Sequence, residues 1–460
     1  MMMSRSIDRA LRSALSMTTL HAPALPLMVL LLMSSVALST AAHAAPRIAP
    51  RETSDARDAA RNPLAPVYLV MSRATYGHVR GLVASASAKT DGLGTPLVLA
   101  QTRMGQLSRI SERIHKDQRH CAGYFAFDTR AQAEAFLRAD RSASVRKSLP
   151  TPVDEYHVNN AATVDAWLPQ VQAANIRATI AQMANFQNRY YTSTTGRSAA
   201  EWLQTTWQGL AAGRSDVSTE LFACASCATQ PSVILTIRGN EIPNDVVVLG
   251  AHLDSINGSA AGNTAQRAPG ADDDASGIAT LTETLRIALA NGWRPKRTVK
   301  FMGYAAEEVG LRGSNAIAQA YRAAHVNVVA AFQLDMTNYK TGSGVDMRLV
   351  TDYSNSRLQT FLATLFDTYL APKGFTRGTD TCDYACSDHA SWTAAGYPAG
   401  YFFEAGAPDG AYFPYIHTAS DTLANMADSA DNSAKYAMIS LAFLAETAKT
   451  SEIGPRSAAR

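Results

Sequence analysis

Charge is what this sequence has least of. Only 18% of its 460 residues are Asp, Glu, Lys or Arg, against about 25% in an average domain. Neither sign prevails, since 42 Lys and Arg oppose 39 Asp and Glu for a net charge of +3. A protein held to nucleic acid by a basic surface is therefore disfavoured. Cysteine is scarce as well: five residues are too few for a disulfide-built scaffold, yet enough for one or two bridges outside the cytosol. Apolar runs of membrane-spanning length are missing. The clearest candidate, Leu25 to Leu38, carries Pro26, Ser34 and Ser35 and falls short of the roughly 18 to 20 residues a spanning helix needs. No internal repeat or low-complexity tract stands out. Apolar residues, in contrast, make up 47% of the chain, enough for a large core and too many for a mainly disordered protein. The length allows up to about three domains.

The short apolar run has the setting of an export signal. Arg5, Arg9 and Arg12 precede it and Ala42-His43-Ala44 follows it, the small-x-small pattern read by a signal peptidase. Residues 1–44 are thus expected to be removed, leaving a secreted or periplasmic protein with no membrane segment. Residues 45–62 read as a polar linker. Val67 to Met71 and Ala122 to Phe127 read as strands and Arg130 to Arg141 as a helix, which suggests a small α/β unit without a catalytic constellation. Through Glu155 the chain holds 20 basic and 12 acidic residues, a balance of +8, whereas 156–460 hold 22 and 27, a balance of −5. The boundary, Lys147 to His157, contains two prolines and suits an exposed, cleavable linker.

Beyond that boundary, long helices alternate with short apolar runs. Ile176 to Tyr190 and Ala199 to Ala212 read as amphipathic helices. Strands are expected at Val233 to Ile237, Val246 to Ala251, Val299 to Tyr304, Val328 to Leu334, Met347 to Thr351 and Ala399 to Phe403. Helices are clearest at Ile278 to Ala290, Ser314 to Ala324 and Arg357 to Leu370. Apolar strands alternating with helices predict an α/β fold: a mainly parallel, mixed β-sheet sandwiched between helices.

Polar residues cluster just after the strands. VVVLGAHLD leads into His252 and Asp254, FMGYAAEE into Glu307 and Glu308, and VVAAFQLD into Asp335. Ligands of open α/β sheets bind outside the carboxyl ends of the strands, so these segments are expected to converge, joined by Asp272-Asp273-Asp274 and by His417. Each feature alone has an ordinary explanation: a surface loop for HxD, a helix N-cap for the acidic triplet, a solvated face for the glutamate pair and a structural role for His417. Together, two imidazoles and several carboxylates without a thiolate suit Zn²⁺ or a similar divalent ion. Carboxylates gathered without a cation would repel one another, and a two-metal site would remove that penalty. On an extended backbone His252 and Asp254 face the same side, so Asp254 could orient the imidazole. One glutamate of the pair could bind metal while the other takes a proton from the attacking water.

In order along the chain stand HLDS, PGADDDASG, YAAEEVGLRGS, QLDMTNY, DTCDYACSDHASW and IHTASDTLAN. From about Ala162 to the C-terminal region the chain resembles the secreted bacterial leucyl aminopeptidases, exopeptidases with two co-catalytic zinc ions. The resemblance implies that His252 and Asp335 bind one zinc, Glu308 and His417 the other, and Asp273 both. It also implies that Glu307 is the general base, that Asp254 supports His252, and that a non-proline cis peptide joins Asp273 to Asp274. An apolar pocket for the substrate's first side chain would include Met336, Cys382, Tyr384, Cys386, Phe403 and Ile416, with Tyr384 also donating a hydrogen bond to the reacting oxygen. Between Phe403 and His417 the chain is about two residues longer than the family pattern, so the side-chain preference is less closely implied than the reaction.

Cys382 and Cys386 match a disulfide pair of that family. For Cys224 and Cys227 a short-range disulfide is expected, with a four-cysteine zinc site as the lesser reading, and Cys121 is left over. The basic unit 45–155 corresponds in position to the propeptides of such enzymes and is expected to block the active site until cleavage, although a retained extra domain is the alternative. The expected partners are peptide and protein N-termini and the protein's own propeptide, with the enzyme acting as a monomer. A glutaminyl cyclase of the same fold would use a single zinc. A carboxypeptidase would need basic residues that no motif announces, and a non-catalytic peptide-binding ectodomain would have lost ligands that are all present here.

Overall fold

In a computed structural model, residues 62–118, 122–139, 156–258, 264–340, 344–404 and 412–452 are described. The expected signal peptide, residues 45–61 of the first linker, Cys121, the Lys147 to Glu155 part of the cleavable linker and most of the stretch between Phe403 and His417 lie outside them. Among the described residues no helix is long and apolar enough to cross a membrane.

The front unit contains β1 (Pro66–Ser72), α1 (Arg73–Val79), β2 (Ser85–Thr90), β3 (Pro96–Arg103), α2 (Leu107–Gln118), β4 (Tyr124–Phe127) and α3 (Arg130–Arg138). Its strands form an antiparallel sheet in the order β2-β3-β1-β4. Thr129 starts α3 through a capping box with Gln132, which satisfies donors that the first helical turn would leave open. Leu107, Ile110 and Ile114 recur on one face of α2 and are fully buried, the spacing expected of an amphipathic helix.

After it come α4 (Ala161–Trp167), α5 (Ala173–Ala184), α6 (Thr194–Leu210), β5 (Val217–Phe222), β6 (Ser232–Ile237), β7 (Ile242–His252), α7 (Ala275–Ala290), β8 (Arg297–Tyr304), α8 (Arg312–Ala323), β9 (Asn327–Gln333), β10 (Met347–Val350), α9 (Ser356–Tyr369), β11 (Arg377–Asp380), α10 (His389–Ala394), β12 (Ala399–Phe403) and α11 (Asp431–Ala448). The sheet runs β11-β10-β12-β9-β7-β8-β6-β5. Its middle strands β12, β9, β7 and β8 are mutually parallel, while β6 and β5 add antiparallel pairs at one edge.

Alternate residues of β7 point to opposite faces. Val247, Leu249 and Ala251 join the core built with α5, α7, α9 and α11, whereas Val246 and Val248 join a second core. That second core continues into Val67, Leu69, Met71, Ile110 and Ile114 of the front unit. The helix expected over Ile176 to Tyr190 is shorter. α5 ends at Ala184, because Asn188 donates to the carbonyls of Thr264 and Gln266 and Arg189 turns inward. These tertiary bonds outweigh the local helical tendency of the segment.

Candidate active site

Since β7, β8 and β9 are parallel, their carboxyl ends share one rim. His252 is the last residue of β7, Asp335 follows β9 by two residues, and Glu307 and Glu308 lie just past β8. Asp273 comes from the loop before α7 and His417 from the segment after β12. All six are at most 2% exposed.

Asp273 stands between the two histidines. Its Oδ1 is 2.9 Å from His252 Nε2 and its Oδ2 is 3.1 Å from His417 Nε2. His252 Nε2 is also 3.6 Å from Asp335 Oδ1, and His417 Nε2 is 2.9 Å from Glu308 Oε2. Two trios result, His252-Asp273-Asp335 and Asp273-Glu308-His417, each with its donor atoms within 4.8 Å of one another. Whether a metal suits this arrangement can be judged from the buried atoms. Among the described residues, Asp335 Oδ1 and both carboxylate oxygens of Glu307 find no hydrogen-bond partner, a costly condition for buried oxygens. Nitrogen and carboxylate donors without a thiolate also match zinc. The residues therefore fit the metal.

Burial pushes Glu308 up to about 7, and the neighbouring Asp273 adds to it. Glu307 is raised well above the carboxylate range, first by burial and then by nearby acids. Burial acts upward on Asp273 too, but His252 and His417 outweigh it and hold this carboxyl below its usual range. Burial opposes the charged form of His252, whereas Asp335, Asp254 and Asp273 together raise its pKa.

The site rests on further acids. Asp254 accepts the amide hydrogens of Glu307 at 2.9 Å and Glu308 at 3.1 Å, so its carboxylate aligns the glutamate pair. His252 Nδ1 lies nearer to the backbone oxygen of Asp254, at 3.2 Å, than to its carboxylate, at 3.6 Å. Asp274 caps α7 through Gly277 and accepts from the amides of His252 and Met336, and the Asp273-Asp274 peptide is cis. Asp421 accepts from the amides of Asp272 and Asp273, and Ser387 Oγ donates to Asp335 Oδ2 at 2.6 Å.

Arg189 escaped the sequence reading. It is fully buried and donates to the carbonyls of Leu253, Pro269 and Gly270, tying the end of β7 to the loop that carries Asp273. Gly270 has φ +51°, and a Cβ there would lie 2.3 Å from Asp273 O and 2.8 Å from Arg189 Nη2. A lone arginine inside an apparent helix carried no signal of this role.

Of the residues assigned to the apolar pocket, Met336, Cys382, Cys386, Phe403 and Ile416 share one apolar cluster. Tyr384 belongs to another, formed with Phe125 and Phe136 of the front unit. Disulfides join Cys224 to Cys227 and Cys382 to Cys386, so the four-cysteine zinc site is not formed. The front unit reaches the rim. The ring of His115 lies 5.0 Å from that of His417 and 4.9 Å from that of Tyr412. Gly123 donates to Ala385 O, Ser72 to Asp383, and Arg312 to Asp128.

The profile of Peptidase family M28 matches residues 232–442. A "Probable leucine aminopeptidase" of Arthroderma otae is 37% identical over 271 residues, 58% of this chain and 71% of the relative. "Leucine aminopeptidase 1" of the same fungus is 34% identical over 304 residues, 64% and 78% of the two chains. The crystal structure of the Legionella pneumophila LapA aminopeptidase superposes with a TM-score of 0.69 at 28% identity, covering 84% of this chain and 99% of LapA. That share, about 386 of 460 residues, exceeds the 305 residues from 156 to 460, so the likeness extends into the front unit. A zinc aminopeptidase from Bacillus subtilis, 14% identical with a TM-score of 0.50, shares the fold. The chain belongs to peptidase family M28 and is a zinc-dependent aminopeptidase.

Proposed function

We propose that this chain is the precursor of an exported, monomeric aminopeptidase that holds two zinc ions and removes leucine or other apolar residues from peptide N-termini. The observation that carries the two-ion reading is Asp273, with one carboxylate oxygen turned to each histidine. His252 and Asp335 would hold one ion, Glu308 and His417 the other, and Asp273 both. When bound, such a pair supplies a nucleophilic water near neutral pH, polarises the scissile carbonyl and seats the free α-amine.

The protein's own groups do the rest. Glu307 takes the proton from the attacking water on a carboxylate oxygen and delivers it to the leaving nitrogen. Burial makes it a stronger base than an ordinary carboxylate, which suits proton transfer near neutral pH. Asp254 fixes its backbone and that of Glu308. The Tyr384 hydroxyl donates to the substrate's carbonyl oxygen as that oxygen gains charge. Met336, Phe403 and Ile416 offer an apolar lining for the first side chain.

The front unit is a propeptide that keeps the site shut, with cleavage falling in the linker from Lys147 to His157. In support, the site residues are buried in the uncut chain, α2 lies against the rim, and the apolar core runs unbroken from one unit into the other. Arg312, wholly buried, pairs with Asp128 of the front unit at 3.0 Å. Hydrolysis of leucine anilide by the uncut and cut forms tests this: the cut form is expected to be at least 100-fold faster, and equal rates would overturn the inhibitory role.

A further inference from the structure

Helix α2 touches the proposed two-ion site unevenly. Ser111 donates to the backbone oxygen of Glu308 at 2.5 Å. One residue on, Glu112 Oε2 lies 3.7 Å from His417 Nδ1, and His115 packs against the same ring. Glu308 and His417 are the two ligands proposed for one ion. The ligands proposed for the other, His252 and Asp335, exchange hydrogen bonds and ion pairs with residues after 156.

The arrangement at Glu112 is shaped. Gly258 donates to His417 O at 3.0 Å, and the Glu112 carboxylate lies across that glycine. A Cβ at Gly258 would stand 2.2 Å from Glu112 Oε2 and 2.4 Å from its Cδ. The absence of a side chain at 258 is what lets the carboxylate reach the histidine. An imidazole that meets a carboxylate on its distal nitrogen is oriented by it and becomes a more basic metal ligand. His252 Nδ1 has Asp254 O as its nearer partner at 3.2 Å and Asp254 Oδ1 at 3.6 Å, so each proposed metal-binding histidine has a carboxylate within ion-pair reach of its distal nitrogen. For His252 it comes from the enzyme domain and for His417 from the front unit.

We infer that Glu112 is a positioning residue for His417, so that the uncut chain holds the ion at Glu308 and His417 more tightly than the cut enzyme does. The inference rests on the two-ion reading above. It gives the front unit a second task, loading one metal position during maturation, and makes that position the more exchangeable one after cleavage.

Calorimetric titration of the metal-stripped, uncut chain with Co²⁺, followed in parallel by visible absorption, tests this without reference to activity. Two binding steps are expected. Glu112→Ala should weaken one of them about 10- to 100-fold and leave the other unchanged. Gly258→Ala, which displaces the carboxylate, should do the same, and Glu112→Gln, which keeps an oxygen acceptor, should recover part of the loss. Removing the front unit should reproduce the single-step effect. Two unchanged steps in Glu112→Ala, or two steps weakened alike, would overturn the inference. Glu308→Ala separates the two levels of the account: it must abolish one step if two ions bind. If it leaves both steps, or if the parent chain shows only one, the two-ion reading fails and takes this inference with it.

Discussion

Replacing Arg189 by methionine should damage the site from outside it. The guanidinium is fully buried and donates to Leu253 O at 2.8 Å, to Gly270 O at 2.9 Å and to Pro269 O. Gly270 O also accepts from the Ala275 amide, so it keeps a partner in Arg189→Met. The carbonyls of Leu253 and Pro269 lose their short bonds, at about 1–3 kcal/mol each, and the longer contacts to Met183 O at 3.4 Å and Asp273 O at 3.5 Å go with them. Methionine avoids the cost of burying a cation, which offsets part of this, but it also forgoes the attraction of Asp421, Asp274, Asp273 and Asp254. The net destabilisation should be about 2–4 kcal/mol, measured by urea unfolding of the metal-free cut enzyme. With the loop 269–273 released, Asp273 moves relative to both histidines, and a shift near 1 Å is worth about 100-fold in rate. Arg189→Lys keeps the charge without the planar fork and should recover little of the loss in kcat. An Arg189→Met enzyme within 1 kcal/mol of the parent stability and within threefold of its kcat would refute the reasoning.

Further consequences can be measured. Glu307→Gln preserves volume and backbone bonding and should lower kcat about 10²- to 10⁴-fold with metal content unchanged; a loss below tenfold would contradict its role as base. His389 is held down at about 4 by burial, against about 6.5 for a free imidazole. Between these values the unfolded chain takes a proton that the folded chain refuses. The stability linked to His389 is therefore complete above pH ~6.5 and is lost towards pH 4, by up to about 1.4 kcal/mol per pH unit. His389→Phe, which keeps the stack on Tyr401, should flatten the acid limb of a Tm against pH profile, and an unchanged limb would refute this.

Much of the site is legible because parallel strands deliver their last residues to one rim. Once the apolar runs ending near His252, Tyr304 and Leu334 are read as neighbouring strands, convergence of His252, Glu307, Glu308 and Asp335 follows from sheet geometry. The acidic triplet is harder, since three adjacent aspartates take three different tasks. Asp273 lies between the histidines, Asp274 caps α7, and Asp272 accepts from Asn338. Only tertiary partners such as Asp421 and Arg189 separate these tasks. Asp254 shows the same limit, because its spacing from His252 suggested a partner for the ring while its carboxylate mainly serves the amides of Glu307 and Glu308. In the front segment the strands at Val67 to Met71 and Ala122 to Phe127 are legible, and both fall in the separate four-stranded sheet. The face that α2 turns to the rim is not legible, because Ser111, Glu112 and His115 look like an ordinary polar helix surface until the surface opposite them is known. Likewise α11, whose buried face spans nearly its whole length, lacks the amphipathic contrast that would have marked it.

The central claim is that zinc held by these buried histidines and carboxylates makes the cut chain an aminopeptidase. Zinc titrated into the metal-stripped cut enzyme, with bound metal and leucine anilide hydrolysis read on the same samples, tests it most directly. No activity is expected without metal, with recovery rising with occupancy up to two ions per chain and both binding and recovery lost in Asp273→Ala. Full activity in the metal-free enzyme, or full recovery by Asp273→Ala, would contradict it.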